Sequence, residues 1–274
     1  MSLPNSNPPR QRSLKPLGPR LERLYAVYAD ARYISPDPLE MVVPFRRVED
    51  REIAALAASS LAYGRVLQIL KSLQKVFGIL GEHPSDYVRS GNAERFRRDF
   101  RGFKHRFHTG EDLANLLEGV RIALDRHGSL ESCFAAGFDR ERDATVLRAE
   151  EHFCSELCTC FPGGESTLLP SPKRGSACKR LNLMLRWLVR QDAVDPGGWT
   201  RIPPSHLIVP LDTHLHRIAR ELGLTRRKAA DRETALEITE AFRNIFPDDP
   251  VKADFVLTRF GIHPDFGRDP LEKC

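Results

Sequence analysis

The sequence predicts an all-α protein, and two observations lead to this prediction. Apolar residues recur at helical spacing through most of the chain, whereas the alternation typical of β-strands is scarce. A clear example is the run of Leu113, Leu116, Leu117, Val120 and Leu124. The chain has 274 residues, of which 41% are hydrophobic, so it can bury a core in one large helical domain or in two small lobes.

The other elements follow from the same spacing and from the residues that interrupt it. A first helix is predicted over residues 21–28, before a proline-rich loop. A second helix begins at Asp50, and Gly64 is predicted to mark the bend into a third. Two further helices are predicted within 129–137 and 141–161.

Both ends of the chain are predicted to lie outside the folded domain. Residues 1–16 are rich in Pro, Ser, Asn and Arg, which favours a disordered basic tail that binds phosphates weakly. The helical domain is predicted to span 17–264, with its last two helices beginning at Asp231 and Asp249. Residues 265–274 are polar and are predicted to be loosely attached.

Charge and hydropathy narrow the possible partners and the compartment. The net charge is +5 and the isoelectric point is about 9.0, a modest excess that suits a polyanionic partner. No apolar run reaches the length of a membrane span, and the N-terminus lacks the apolar core of a signal peptide. We therefore expect a cytoplasmic protein that does not enter the membrane.

The cysteines are expected to be reduced in that compartment. Cys154, Cys158 and Cys160 lie close together, but a metal site there needs a fourth ligand and a different spacing. No metal site is therefore predicted. Cys178 is interpreted as a small packed side chain rather than as a catalytic thiol.

A basic turn that leads into a helix contains the first candidate catalytic residue. The run 172–176 cannot continue a helix backwards and indicates a tight turn. After Lys179, apolar residues return at helical spacing, namely Leu181, Met184, Leu185 and Leu188. A lysine in the first turn lies at the positive end of the helix dipole, which lowers the pKa of its amine and favours the nucleophilic form. A solvated surface lysine is the alternative.

Asp212 is the second candidate, because it is placed as the N-cap of a later helix. The apolar residues of that helix are Leu215, Ile218, Ala219 and Leu222. We predict that Lys179 and Asp212 meet across a cleft and act on a nucleotide, although Asp212 as a simple cap is an alternative. A metal site formed by Asp212 with His214 and His216 is another, but side chains two positions apart on a helix point in different directions.

Taken together, the two segments resemble the helix-hairpin-helix DNA glycosylase superfamily. The shared pattern is a turn with Gly-x-x-x-Lys before an apolar helix, followed by Pro-apolar-Asp-x-x-x-x-Arg at the start of another helix. In bifunctional members the lysine forms a Schiff base with deoxyribose and the aspartate assists, and Lys179 and Asp212 match those positions. The turn 173–176 matches the phosphate-gripping hairpin, with only Gly175 where the superfamily usually has Gly-x-Gly.

Two more specific resemblances, each to one protein family, accompany this similarity to the superfamily. The long interval between Lys179 and Asp212 is most similar to the archaeal 8-oxoguanine DNA glycosylases, which carry an insertion between the two helices. Over roughly residues 18–264 the chain also resembles a bacterial family known as domain of unknown function 2400. The shared stretches are residues 62–65, 175–190 and 210–214.

These resemblances imply a two-lobed helical fold with the active site in the cleft, and a base-excision repair enzyme with glycosylase and AP lyase activities. The implied partner is double-stranded DNA in which a damaged base, best matched by 8-oxoguanine, is flipped into a pocket. The superfamily branch with an iron–sulfur cluster has four cysteines near the C-terminus, where this chain has only Cys274, so we expect no cofactor. We expect a monomer. The alternative is a non-catalytic DNA-binding protein in which Lys179 contacts phosphate only.

Further residues are predicted to surround the two catalytic candidates. The predicted DNA contacts are Lys173, Arg174, Gly175, Ser176, Arg65 and Arg106. Leu183, Tyr63 and Trp199 are predicted to line the base pocket, although Tyr63 packed in the core and Trp199 as a loop anchor are alternatives. The basic and aromatic residues of 96–107 favour nucleic-acid contact, or else an amphipathic segment with a solvated basic face.

Overall fold

The computed structural model describes residues 17–262, and their regular structure is almost entirely helical. The described range contains twelve α-helices, short 3-10 turns and one two-stranded hairpin. The helices are α1 (Leu17–Tyr28), α2 (Val48–Ser60), α3 (Val66–Leu80), α4 (Pro84–Arg89), α5 (Ala93–Asp99), α6 (Gly110–His127), α7 (Leu130–Ala135), α8 (Leu147–Leu157), α9 (Lys179–Val189), α10 (Thr213–Glu221), α11 (Arg232–Arg243) and α12 (Asp254–Ile262). The all-α prediction is confirmed. The predicted tails at 1–16 and 265–274 lie outside the described residues.

Two predicted helices differ from the observed ones. The helix predicted in 141–161 is shorter, because residues before α8 form turns in which the Asp143 carboxylate accepts hydrogen bonds from the Asp139 amide and from Arg148. The last helix begins at Asp254 rather than at Asp249, after a series of turns. None of the described helices combines the length and the apolar composition needed to cross a bilayer.

Helices α2 and α9 form the centre of the core and share the most extensive helix–helix contact. In α9 every residue from Leu181 to Val189 is buried, so the predicted single apolar face was too narrow. A helix buried on all sides must satisfy its polar groups internally. Asn182 does so in part: its amide nitrogen donates to the carbonyl oxygen of Ala177 at 3.2 Å, whereas its Oδ1 has no partner among residues 17–262.

A buried ionic network joins α9 to the rest of the core. Arg186 donates to Asp195 at 3.2 Å and to Asp254 at 2.5 Å. Arg190 donates to Asp195 and, at 2.8 Å, to Asp249. Asp254 is thus a structural salt-bridge partner, and the network fixes α9 against α12 and against the loop that follows α9.

The helices contact one another in two groups. Helices α2 to α8 are linked by mutual contacts, whereas α10 contacts α12 and α12 contacts α1. Helix α9 packs on α2 and reaches α12 through Arg186. Consequently, α9 contacts both groups.

Candidate active site

A cavity of about 780 Å³ lies at the N-terminal ends of α9 and α10. Its walls come from the segment that joins α2 to α3, from the turn before α9, from the start of α10 and from α12. The volume falls in the range typical of sites for small molecules. Both candidate catalytic residues, Lys179 and Asp212, line it.

The local sequence explains why α9 begins at Lys179. Ser171 caps a 3-10 turn over Pro172–Arg174, and Gly175 leaves that turn with a left-handed φ of 77°. Cys178 is also left-handed, with φ 46° and ψ 36°, a conformation that prevents the helix from extending backwards. Lys179 is therefore the first helical residue, as the sequence predicted, and its side chain reaches into the cavity.

The two carboxylate oxygens of Asp212 have different partners. Oδ1 accepts hydrogen bonds from the amides of His214 at 2.9 Å and Leu215 at 2.8 Å, which makes Asp212 the N-cap of α10 as predicted. Oδ2 lies 3.9 Å from Lys179 Nζ. The amine also lies 3.5 Å from the carbonyl oxygen of Ala62. Three separate segments thus converge on one primary amine.

The pair remains accessible from the cavity, because 32% of the Lys179 side chain and 21% of the Asp212 side chain are exposed. A buried structural ion pair would exclude a ligand from the amine. At 3.9 Å the contact is looser than a charge-assisted hydrogen bond, which is typically about 2.7–2.9 Å. A reacting group can therefore approach the amine while the carboxylate stays close.

The cap and the charge of Asp212 can be separated by two substitutions. Asparagine caps helices about as well as aspartate, so we expect Asp212→Asn to change the free energy of unfolding by less than about 0.5 kcal/mol. Asp212→Ala removes the cap and should cost about 1 kcal/mol. Urea unfolding of both variants measures the difference. An equal loss in both variants would contradict the assignment of Oδ1 to the cap.

Residues 62–64 form one cavity wall, and the positive φ of Gly64 explains the glycine. Gly64 has a φ of 100°, and a Cβ there would come within 3.0 Å of Arg106 Nη1. Tyr63 lines the cavity as predicted and is half-buried. Its hydroxyl donates to the carbonyl oxygen of His105 at 2.9 Å, and the guanidinium of Arg180 lies 4.9 Å from its ring centroid. Tyr63 therefore supports the wall and also faces the cavity.

A short β-hairpin, β1 (Lys104–His105) and β2 (His108–Thr109), stands beside this wall. Two histidines anchor it. His105 Nδ1 lies 2.9 Å from Ser72 Oγ, and His108 Nε2 lies 3.0 Å from Thr167 Oγ1. Burial lowers the pKa of both imidazoles, which favours neutral rings. The sequence did not predict this hairpin, because two residues per strand are too few for a periodic signal.

Within the basic and aromatic stretch 96–107, the exposed aromatic residue lies at the tip of the hairpin. The phenylalanines at 96, 100 and 103 are buried, and Arg97 pairs with Glu111 at 2.8 Å. For residues 96–103 the structure thus matches the amphipathic alternative. At the tip, by contrast, Phe107 is 80% exposed, and the Arg106 guanidinium lies 5.4 Å from its ring centroid. Arg106 itself is exposed and left-handed, with a φ of 52°.

Charged residues that the sequence analysis did not assign to the site line the cavity as well. Arg186 and Asp254 form one buried pair there, and Asp37 and Arg259 form another. Asp254 Oδ1 is buried and has no hydrogen-bond partner among residues 17–262. Burial raises the pKa of the Asp254 carboxyl to about 6, although Arg186 opposes the shift. These partners lie far apart in sequence, so no local pattern indicated them.

The other predicted contact residues lie at this cavity or at a second one beside it, with one exception. Leu183 and Ser176 line it, and Arg65 is exposed between two lining residues. Lys173 and Arg174 are exposed at a second cavity of about 720 Å³ next to α8, which Ser176 and Arg180 also line. Arg174 pairs with Glu165. Gly175 contacts the start of α11, because its carbonyl oxygen accepts a hydrogen bond from the Arg232 amide at 3.0 Å.

Trp199 is the exception, and its predicted place in the pocket is wrong. Its side chain is buried, and its indole N–H donates to Glu52 at 2.7 Å. Phe134 and Phe153 contact the ring, with centroid distances of 5.5 and 6.5 Å. A large apolar ring with a satisfied N–H is more stable in the core than in an open cavity. Trp199 therefore anchors its loop, as the alternative interpretation held.

The Cys178 thiol and the imidazoles of His214 and His216, which lie near Lys179 in the sequence or the fold, contact different parts of the protein. Cys178 is buried, its Sγ lies 3.1 Å from the carbonyl oxygen of Pro170, and burial raises the pKa of its thiol to about 12. It is packed rather than nucleophilic, as predicted. His214 lines the cavity, whereas His216 Nε2 lies 3.0 Å from the carbonyl oxygen of Arg227. The two rings therefore do not face one point.

Comparison with known proteins establishes a family but no activity. Residues 37–263 match the family described as "Protein of unknown function (DUF2400)". This match covers most of the chain. The protein belongs to this family. No curated protein and no solved structure matches the chain.

Proposed function

We propose that this protein is a DNA N-glycosylase with associated AP lyase activity, in which Lys179 is the nucleophile. The observation that carries the proposal is the approach of the Lys179 amine to the Asp212 carboxylate, at 3.9 Å, inside an open cavity. A primary amine beside a carboxylate is suited to imine formation with a sugar aldehyde, because the carboxylate can transfer protons and stabilise positive charge.

The reaction begins with a nucleotide flipped out of the duplex into the cavity. The neutral amine of Lys179 attacks C1′ of the deoxyribose, and the bond from C1′ to the base breaks, with the electron pair leaving on the base, which is then protonated. Asp212 stabilises the positive charge that develops on the sugar. Opening of the sugar ring gives the imine. Loss of a proton from C2′ then expels the 3′-phosphate and nicks the strand.

The walls of the cavity suit an aromatic, polar base. Leu183 and Tyr63 provide apolar surface. Asp254 and Arg186 also line the cavity and would provide charged groups for a polar edge. The choice of 8-oxoguanine as the base rests on the resemblance to archaeal 8-oxoguanine glycosylases.

Exposed basic residues beside the two cavities would hold the DNA strand. Arg65, Arg106, Lys173 and Arg174 are all exposed, and the chain carries a net charge of +5. Phe107 adds an exposed aromatic ring beside Arg106. Since a flipped nucleotide leaves a gap in the base stack, an apolar side chain that enters this gap stabilises the distorted duplex.

Removal of the Phe107 ring should therefore weaken binding to damaged DNA. Stacking on an aromatic side chain contributes about 1–3 kcal/mol per base, so we expect Phe107→Ala to weaken affinity for an abasic duplex by about tenfold. Fluorescence anisotropy with a labelled duplex measures this. Val27→Ala removes apolar surface from another exposed position, 55% exposed on α1, and should leave affinity unchanged. Equal affinities of Phe107→Ala and wild type would exclude this role.

The reaction itself is tested by strand incision on three duplexes that are identical except at one position. The full chain is incubated with DNA that carries guanine, 8-oxoguanine or an abasic site there. We expect incision of the abasic and 8-oxoguanine strands but not of the undamaged strand. Incision of the abasic strand alone would retain the lyase and reject the base. Binding to all three without incision would reject the enzyme and favour a non-catalytic DNA-binding protein.

A further inference from the structure

A group of potential metal ligands lies where α6, α7 and α8 meet. His127 is the last residue of α6, Cys133 lies on α7 and His152 lies on α8. One ligand atom from each of these residues lies within 4.8 Å of the other two. This cluster includes none of the residues that line the cavity containing Lys179.

The spacing is close to that of a tetrahedral site. Zinc bonds nitrogen at about 2.0–2.1 Å and sulfur at about 2.3 Å, so ligand atoms in a tetrahedron lie about 3.4–3.8 Å apart. All separations here are within 4.8 Å, so side-chain shifts of about 1 Å bring the ligand atoms to that spacing. The last turn of α6 also presents the negative end of its dipole near His127, which favours a cation there.

His152 shows the clearest sign of a missing partner. Its Nε2 is buried and makes no hydrogen bond to any residue in 17–262. An unsatisfied buried polar atom costs about 1–3 kcal/mol, and coordination would satisfy it. The side chain is held in place, because a Cβ on Gly137 would come within 2.5 Å of His152 Cβ. Gly137 therefore allows α7 and α8 to approach closely enough for the cluster to form.

A carboxylate lies beside the group and contacts one of its members. Glu156 follows His152 by one helical turn on α8, so both side chains lie on the same face. Glu156 Oε2 lies 3.3 Å from His127 Nε2 and accepts from Arg126 at 2.6 Å. A carboxylate in this position either binds the metal directly or orients the imidazole that does. An ion pair between His127 and Glu156 without a metal leaves the buried nitrogen of His152 unexplained.

We propose that His127, Cys133 and His152 bind a zinc ion, with Glu156 as the fourth ligand or as the partner of His127. A set of two imidazoles, one thiolate and one carboxylate binds zinc in preference to magnesium or calcium. The site is structural, since it joins α7 to the ends of α6 and α8, which Arg126, His127 and Glu156 already link. It is independent of the reaction proposed for Lys179.

Metal titration of the full chain tests this proposal. The protein is treated with EDTA, incubated with excess Zn²⁺ and passed through a desalting column, and the retained zinc is measured by mass spectrometry. We expect about one zinc per chain. Co²⁺ in place of Zn²⁺ should give the charge-transfer absorption of a cobalt–thiolate bond. That band should disappear in Cys133→Ala.

Matched variants distinguish this site from adventitious binding. His127→Gln and His152→Gln should each lower zinc affinity at least about tenfold, the smallest effect usual for groups that support a metal site. Cys160 is a partly exposed cysteine that does not belong to the cluster. Cys160→Ser should therefore retain the metal. Circular dichroism confirms folding, and His127→Gln is the least disruptive variant because His127 is partly exposed. Substoichiometric zinc in wild type, or full zinc in both histidine variants, would overturn the proposal.

Discussion

Lys179→Gln is expected to lower the rate of strand incision at an abasic site by about 10³-fold or more, because Lys179 is the only lysine among residues 17–262 that lines the cavity. Glutamine is nearly as long as lysine and remains polar, so the cavity should keep its shape. The amine makes only long contacts, at 3.9 Å to Asp212 and 3.5 Å to Ala62, so its loss should leave stability unchanged. Single-turnover incision with saturating enzyme measures the chemical step apart from binding.

The control for this substitution is Lys75→Gln, which removes the same charge from an exposed position on α3. It should incise at the wild-type rate. A Lys179→Gln rate within tenfold of wild type would mean that Lys179 is not the nucleophile. A Lys75→Gln rate as low as that of Lys179→Gln would mean that net charge, rather than the amine, governs the rate.

Arg186→Met is expected to destabilise the protein by about 3–5 kcal/mol, because it leaves Asp195 and Asp254 buried without their shared cation. Methionine nearly fills the same volume, so the loss is mainly electrostatic. Urea unfolding followed by circular dichroism measures the free energy. Arg217→Met on α10 removes an exposed pair with Glu221 and should cost less than about 0.5 kcal/mol.

A second substitution identifies the cause of this destabilisation. Asp195 keeps its pair with Arg190 in the Arg186→Met variant, whereas Asp254 loses its contact with Arg186. Adding Asp254→Asn to Arg186→Met removes that buried charge, so the double variant should regain part of the lost stability. No recovery in the double variant would indicate that the loss arises from packing around methionine. A loss below about 1 kcal/mol in Arg186→Met alone would contradict the structural importance of the network.

Features set by neighbouring residues were predictable from the sequence. The turn at 172–176, the start of α9 at Lys179 and the N-cap at Asp212 depend on local glycine, proline and cap chemistry. The convergence of Lys179 and Asp212 was predicted through resemblance to a superfamily rather than through spacing. The family is shown for residues 37–263, whereas the superfamily fold and its two-lobed organisation remain part of the proposal.

Features set by distant residues were not predictable. The pairs Arg186–Asp254 and Asp37–Arg259 join segments far apart in the chain, and only the folded structure brings them to the cavity. Trp199 was misplaced for a related reason. A tryptophan in a loop beside two catalytic candidates suits a pocket wall, but its N–H found a buried partner in Glu52, on α2. The position of a loop side chain depends on which distant partner satisfies it.

Borohydride trapping on an abasic duplex tests the central claim most directly, because reduction converts only an imine into a permanent protein–DNA bond. Wild type should give a covalent adduct, and Asp212→Asn should give less adduct at a lower rate. Lys75→Gln should match wild type, and Lys179→Gln should give none. Bound DNA without an adduct in wild type, or an undiminished adduct in Lys179→Gln, would contradict the assignment of Lys179 as the nucleophile.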